Sequence, residues 1–211
     1  MAPVHSPATV LVTGANGFVG AWVVRDFLEA GYTVRGTVRS ENKGAHLRTQ
    51  FSAFDERFKV AVVEDITLDG AFDDAVDGID LIVHTASPLH FNAKEADDMI
   101  KPAVRGTLGV LESASKEGST VKRIVITASG ASIISPTTEP FVWDETYWNE
   151  HSIKQVEEKG MAAGANTVYR ASKTLAERAA WEYCDRNKAI AWDLVVLHPP
   201  YIFGPSIQEG R

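Results

Sequence analysis

The alternation of short apolar runs with helical segments is the feature that most constrains this chain. Six runs rich in Val and Ile are nearly continuous, which is typical of strands buried on both faces of a parallel sheet. They are Thr9–Thr13, Thr33–Val38, Phe58–Val63, Leu81–Thr85, Arg123–Ala128 and Trp192–Leu197. Helical patterns lie between them at Phe18–Ala30, Asp69–Val76, Glu95–Lys116 and Thr167–Arg186, and Gly31 is placed to end the first helix. The pattern predicts a doubly wound α/β fold with a parallel sheet and right-handed crossovers.

Composition excludes several classes of protein. The 211 residues include 21 basic and 28 acidic side chains, so the formal net charge is −7. This acidic balance argues against nucleic acid or an anionic membrane surface as a partner. The single cysteine, Cys184, allows no internal disulfide, and no apolar run reaches the ~18 residues of a spanning helix. The N-terminus does not resemble a signal peptide, so we expect a cytoplasmic protein. The histidines show no ligand spacing, and no metal site is expected.

The stretch 135–165 interrupts the alternation. It contains Pro136, Pro140, Gly160 and Gly164 together with several aromatic residues. Long irregular segments in compact domains usually have a function or are mobile. We predict a long surface insertion loop here.

A glycine-rich turn follows the first predicted strand. The sequence Thr13-Gly-Ala-Asn-Gly-Phe-Val-Gly20 has the spacing G-x-x-G-x-x-G. Gly14 allows the chain to turn off the strand, Gly17 allows a pyrophosphate to approach the helix N-terminus, and Gly20 allows helix and strand to pack closely. Glycine triplets also occur in ordinary tight turns. The position between a strand and a helix, at the start of a βαβ unit, favours dinucleotide binding.

The end of the second predicted strand indicates which nucleotide is bound. Proteins that bind NAD place an acidic residue there for the ribose 2′-hydroxyl, whereas this chain has Arg39, followed by Lys43. A guanidinium suits a phosphate, so the pair favours the 2′-phosphate of NADP. Glu41 between them is an objection, and two solvated surface cations are the alternative. Asp65 and Ile66, after the third strand, lie where an adenine ring would be bound.

Tyr169 and Lys173 begin the last long helix with a spacing of four, which places both on one face. An ammonium group nearby favours the phenolate and so makes the tyrosine a usable general acid for a carbonyl oxygen. A solvated pair on the helix surface is the alternative. Ser129 ends the fifth strand, where it could donate a hydrogen bond to a developing alkoxide or only cap a turn. Thr85 and Ala86, with Ser87 after them, are expected to pack against the cofactor ribose.

These motifs together resemble the extended short-chain dehydrogenase/reductases of the NAD-dependent epimerase/dehydratase superfamily. The branch is that of dihydroflavonol reductases, cinnamoyl-CoA reductases and fungal NADPH-dependent methylglyoxal and ketone reductases. The matching segments are Thr13–Gly20, Arg39 with Lys43, His84–Pro88, Thr127–Ser129, Tyr169–Arg178 and Pro199–Pro205. The resemblance implies a Rossmann fold, NADP(H) as cofactor, and Ser129, Tyr169 and Lys173 as catalytic residues. It implies cofactor contacts from Gly14, Ala15, Asn16, Gly17, Phe18, Val19, Gly20, Arg39, Lys43, Asp65, Ile66, Tyr169, Lys173, Pro199 and Ile202.

The chain departs from the family pattern at two places. Arg105 stands where the helix after the fourth strand usually carries Asn. Family members also continue into a small C-terminal substrate domain, whereas this chain ends at Arg211, six residues after Pro205. We therefore expect one NADP-binding domain over residues 1–211 that ends where a substrate domain would begin, with that substrate domain largely missing.

The first functional hypothesis is an NADPH-dependent reductase that converts an aldehyde or ketone, a small-molecule carbonyl substrate, to an alcohol. Tyr169 would protonate the oxygen, Lys173 would lower the pKa of that phenol, and Ser129 would orient the carbonyl group. One alternative is a catalytically impaired nucleotide-binding fragment or redox sensor. Another is a sugar-nucleotide epimerase or dehydratase, against which Arg39 argues. A monomer or a homodimer is expected, the latter by family analogy alone.

Overall fold

The computed structural model describes residues 2–87 and 93–208, which form six strands and six α-helices. The strands are β1 (Thr9–Thr13), β2 (Thr33–Val38), β3 (Phe58–Val62), β4 (Leu81–His84), β5 (Arg123–Thr127) and β6 (Asp193–Leu197). The helices are α1 (Phe18–Glu29), α2 (Glu41–Gln50), α3 (Asp73–Val76), α4 (Asp97–Ala114), α5 (Glu150–Lys159) and α6 (Ala165–Arg186). Pro88 of the His84–Pro88 motif lies outside the described residues.

The strands form a single parallel sheet in the order β3-β2-β1-β4-β5-β6. β1 pairs with β2 on one side and with β4 on the other, in a register that places Thr13 beside His84. The direction in which the strand order proceeds reverses between β1 and β4. Open α/β sheets bind ligands at such a point, beyond the carboxyl ends of the strands. The predicted doubly wound parallel sheet, a Rossmann fold, is confirmed.

Both faces of the sheet are buried, which explains why its central strands are continuously apolar. Val10 and Val12 of β1 are fully buried in a cluster with Val24 of α1 and Leu47 of α2. Leu11, between them, points to the opposite face and belongs to a cluster formed with α3, α4 and α6. Side chains alternate between the two faces of a strand, so apolar residues in succession supply both layers of the core.

The predicted elements agree with the structure except at some ends and for two helices. Gly31 follows α1 with φ 90°, as expected for a glycine just after a helix. α2 was not predicted because its sequence is mostly polar and only Gly44 and Leu47 are buried. A helix with so narrow an apolar face gives little periodic signal.

α5 occupies the second part of the stretch 135–165, which is therefore helical there and not a loop. Asn149 begins the helix, and its side chain accepts a hydrogen bond from the backbone N–H of Ser152 at 3.0 Å. Ile153 and Val156, three residues apart, pack in a third cluster with α4 and α6. A spacing of three between apolar residues is typical of a helix. The prolines and glycines of the stretch 135–165 nevertheless favoured a loop in the sequence analysis.

No helix within residues 2–87 and 93–208 is long and apolar enough to cross a membrane. The same residues contain no group of three or more His, Cys, Asp or Glu side chains arranged to bind a metal ion.

Candidate active site

The glycine turn connects β1 to α1 through backbone that excludes side chains. Gly14 has φ 66°, and a Cβ atom added there would lie 3.0 Å from the Cα of Ala86. A Cβ at Gly20 would lie 2.3 Å from the Gly14 carbonyl oxygen. Gly17 precedes α1, whose first turn has neither a capping side chain nor an acidic residue. The unpaired N–H groups and the positive end of the helix dipole are therefore available to an anion such as a pyrophosphate.

Thr13 joins the two strands at the point of reversal. Its fully buried hydroxyl oxygen accepts hydrogen bonds from the N–H groups of Thr85 and Ala86, both at 3.1 Å. The same oxygen lies 2.9 Å from Nδ1 of His84. Burial lowers the pKa of His84 to about 3, with a smaller effect from the charge of Lys173. The imidazole is therefore neutral, and its Nδ1 can accept a hydrogen bond from the Thr13 hydroxyl. This network fixes the loop after β4 against the glycine turn.

A cavity of about 640 Å³ lies along the carboxyl ends of β1, β2, β3 and β4. Its volume is within the range of small-molecule and cofactor sites. Its lining combines the glycine turn with residues from the ends of three strands: Gly14, Asn16, Gly17, Phe18, Thr37, Val38, Arg39, Lys43, Val63, Ile66, Thr85, Ala86, Ser87, Ser206 and Gln208. Nine of the residues predicted to contact a cofactor are therefore together in one cavity, namely Gly14, Asn16, Gly17, Phe18, Arg39, Lys43, Ile66, Thr85 and Ala86.

Arg39 and Lys43 form the cationic end of this cavity. Both are exposed, Arg39 just after β2 and Lys43 in the first turn of α2. Glu41, the objection raised by the sequence, pairs with Arg48 at 2.6 Å on the same helix. Its carboxylate is therefore engaged away from Arg39. Two positively charged side chains therefore line the cavity at this end, which suits a phosphate.

Asp65 does not line the cavity, although its neighbour Ile66 does. The Asp65 carboxylate accepts hydrogen bonds from the N–H and hydroxyl of Thr67 at 2.8 and 2.7 Å. These bonds lower the pKa of Asp65, and the charge of Arg39 adds a smaller effect in the same direction. Ile66 packs against Gly106 of α4, where a Cβ would lie 2.6 Å from the end of the isoleucine.

The other predicted cofactor residues lie outside the cavity lining. Ala15 is fully buried against Gly36, and Val19 and Gly20 belong to the first turn of α1. Pro199 accepts a hydrogen bond from the Gly130 N–H at 3.0 Å, and Ile202 is exposed.

Five residues that line the cavity were not predicted from the sequence: Thr37, Val38, Val63, Ser206 and Gln208. Thr37 could have been found from the alternation of side chains in β2, since it lies two residues before Arg39 and therefore on the same face of the strand. Its hydroxyl accepts a hydrogen bond from the Gly14 N–H at 3.2 Å.

Tyr169 and Lys173 lie one turn apart on α6. The Lys173 amine lies 5.9 Å from the centre of the Tyr169 ring and donates a hydrogen bond to the Ser87 hydroxyl at 3.0 Å. Among the described residues it forms no ion pair, and burial lowers its pKa to about 8. A second, small hollow contains this amine and shares Ser87 with the large cavity. The buried amine is therefore at the border of the large cavity.

Ser129 occupies the position predicted for it, after β5, and is mostly buried. Its hydroxyl oxygen accepts a hydrogen bond from the Ala131 N–H at 3.1 Å and so caps the short turn Gly130–Ser132. The hydroxyl proton is not used in that contact and can still be donated. Thr127 and Ala128, rather than Ser129, line the hollow around Lys173.

Arg105 points away from the site. Its guanidinium binds both oxygens of Glu112, at 2.9 and 2.8 Å, and Asp69 at 2.7 Å. The residues of α4 that line the hollow around Lys173 are Ala103 and Thr107. The side chain at position 105 therefore has a structural role on the surface.

Comparison with known proteins agrees with this geometry. The model of the NAD dependent epimerase/dehydratase family matches residues 10–211. A ketoreductase of Aspergillus niger is 42% identical over 207 residues, which are 93% of this chain and 58% of the relative. An aldehyde reductase of Sporidiobolus salmonicolor is 42% identical over 95% of this chain and 60% of its own length. A crystal structure of Gre2 with NADPH from Candida albicans has a TM-score of 0.87 at 35% identity, over 95% of this chain and 60% of that one. This chain thus spans about 60% of the length of these relatives, and it belongs to the NAD dependent epimerase/dehydratase family.

Proposed function

We propose that this chain binds NADPH and carries the catalytic residues of a reductase that converts an aldehyde or ketone to an alcohol. The observation that carries the proposal is the buried Lys173 amine, held by Ser87 at the border of the cavity, with Tyr169 one helical turn away. The names of the relatives support it, since they include a ketoreductase, an aldehyde reductase and a Gre2 enzyme bound to NADPH.

The residues of the cavity fit the dinucleotide. Gly14 and Gly17, which both line the cavity, place backbone without side chains at the start of α1, where a pyrophosphate can approach closely. Arg39 and Lys43 provide positive charge for a 2′-phosphate at the other end. When bound, NADPH supplies the hydride that reduces the carbonyl carbon.

The chain's own residues manage the carbonyl oxygen. Tyr169 donates the phenolic proton to that oxygen as negative charge develops on it. The Lys173 ammonium favours the resulting phenolate electrostatically, and Ser129 donates a hydrogen bond that orients the carbonyl group. Ser87 fixes the direction of the amine, which we assign to the ribose hydroxyls at the nicotinamide end.

The test is the variant Tyr169→Phe, with Tyr183→Phe on the same helix as control. Tyr183 packs against Trp192 with parallel rings 6.4 Å apart, in the core rather than at the site. We expect Tyr169→Phe to bind NADPH like the wild type and to lose at least about 100-fold in turnover over a panel of aldehydes and ketones. The control should retain turnover.

Three results would favour other functions. Undiminished turnover by Tyr169→Phe would exclude the tyrosine as the acid. NADPH binding by the wild type without turnover of any carbonyl compound would favour a nucleotide-binding fragment or sensor. Tightly retained NAD in the purified protein would favour an epimerase or dehydratase.

A further inference from the structure

Glu177 continues the row of functional residues on α6. It follows Tyr169 by eight residues and Lys173 by four, so all three lie on one face of the helix. It is 4% exposed and lines the hollow that contains the Lys173 amine. A carboxylate is seldom buried to this extent without a partner, because loss of hydration is costly. The position of its partner therefore indicates what the glutamate does.

The partner is His198, directly after β6. Its Nε2 lies 2.8 and 2.9 Å from the two oxygens of the Glu177 carboxylate. Among the described residues this is the only polar contact of that carboxylate. His198 is also partly buried, so the contact is shielded from solvent. Glu177 thus connects α6 to His198, the first residue after the last strand of the sheet.

The segment that begins at His198 extends from the hollow to the large cavity. Residues 200–206 are exposed and form no helix or strand, but Ser206 and Gln208 line the cavity. At its start the segment is held by His198 and by the Gly130 N–H, which donates to Pro199. Toward its other end, the Trp22 indole N–H donates to the Pro205 carbonyl at 2.9 Å. The Glu177–His198 contact therefore holds the start of this segment against α6, next to the hollow that contains the Lys173 amine.

We propose that Glu177 is a positioning residue for hydride transfer. Acting through His198, it fixes the start of the segment 199–205 against Gly130, the residue after Ser129, and so determines where the nicotinamide end of the cofactor is held. This inference rests on the function proposed above. Stability alone is a poor reason for such a contact, because a buried polar pair replaced by apolar side chains of similar size is often as stable or more stable.

That property provides the experiment. The double variant Glu177→Leu/His198→Leu replaces the pair with apolar contacts, and we expect its unfolding midpoint to stay within about 4 °C of the wild type. We expect kcat to fall about tenfold to a hundredfold, since small displacements of reacting groups have effects of that size. NADPH affinity should change less than about threefold, because the charged contacts of Arg39 remain.

Two further variants separate positioning from a general effect on the protein. Glu177→Gln keeps an oxygen that accepts a hydrogen bond from His198. Its kcat should therefore be much closer to that of the wild type than the kcat of the double Leu variant is. Glu182→Leu/Arg186→Leu removes an exposed ion pair of the same helix and should leave kcat, affinity and the midpoint unchanged. A double Leu variant that folds and keeps the wild-type kcat overturns the inference.

The fluorescence of bound NADPH tests the inference without turnover. A reduced nicotinamide ring held rigidly emits differently from the free cofactor, so the double Leu variant should shift the emission of saturating NADPH toward that of the free form. Unchanged emission overturns the inference. If the wild type binds NADPH but reduces no carbonyl compound, the proposed function fails, whereas the emission comparison still decides whether Glu177 places the ring.

Discussion

The buried amine of Lys173 should reduce the stability of the protein at neutral pH. Burial lowers the pKa of this group from 10.5 to about 8. Each pKa unit corresponds to about 1.4 kcal/mol, so the ammonium form costs roughly 3 kcal/mol of folding free energy. The cost applies fully below pH 8, where the folded protein still has to bury the charge. Between pH 8 and 10.5 the unfolded chain binds more protons than the folded one, so stability rises with pH and the cost disappears.

The variant Lys173→Met measures this cost because methionine keeps a long apolar stem without the charge. We expect it to be about 2 kcal/mol more stable than the wild type at pH 7, after allowance for the lost hydrogen bond to Ser87. The gain should shrink as the pH rises above 8, and above pH 10.5 it should become a loss of about 1 kcal/mol, because only the missing hydrogen bond to Ser87 then distinguishes the two proteins. Urea unfolding at a series of pH values gives both free energies, and groups that titrate in both proteins cancel in the difference.

Lys188→Met is the matched control. Lys188 is exposed and pairs with Asp185 only on the surface, so its replacement should change the free energy of unfolding by less than about 0.5 kcal/mol at every pH. A Lys173→Met variant that is less stable than the wild type at pH 7, or a gain that does not depend on pH, would refute the reasoning about the buried amine.

Two further predictions concern the cofactor cavity. Arg39→Ala should weaken NADPH binding by about tenfold or more and NADH binding far less, whereas Arg186→Ala, which removes an exposed arginine paired with Glu182 on α6, should affect neither; equal weakening of both cofactors would contradict the assignment of the 2′-phosphate. Gly20→Ala should reduce the free energy of unfolding by about 2 kcal/mol or more, because the new Cβ would meet the backbone at 2.3 Å. Gly109→Ala, inside α4, would place a Cβ 3.5 Å from its nearest neighbour and should be neutral or slightly stabilising when both variants are compared by urea unfolding.

The sequence predicted best those features that depend on contiguous residues. The apolar runs predicted β1 and β2 to the residue, and the glycine spacing predicted a turn with no room for side chains at Gly14 and Gly20. Features that depend on contacts between distant segments were missed. Thr13 gives no signal of its own, because its role arises from the loop after β4 that the sheet places beside it.

Ser129 and Glu177, near Tyr169 and Lys173, also have contacts that the sequence does not predict. The position of Ser129 at a strand end was predictable, but its contact with the Ala131 N–H is a matter of local turn geometry. Glu177 belongs to the same helical row as Tyr169 and Lys173. Its importance becomes visible only when β6 brings His198 against that face of α6.

The central claim is that the Tyr169 phenol and the Lys173 amine act beside a bound nicotinamide ring. A crystal structure of the protein with NADP⁺ tests it most directly. The account predicts the 2′-phosphate at Arg39, the pyrophosphate over Gly14 and Gly17, and the ribose next to the nicotinamide within hydrogen-bonding distance of the Lys173 amine, with the Tyr169 hydroxyl facing the ring. A nicotinamide bound away from α6, or an amine turned toward solvent in that complex, would contradict it.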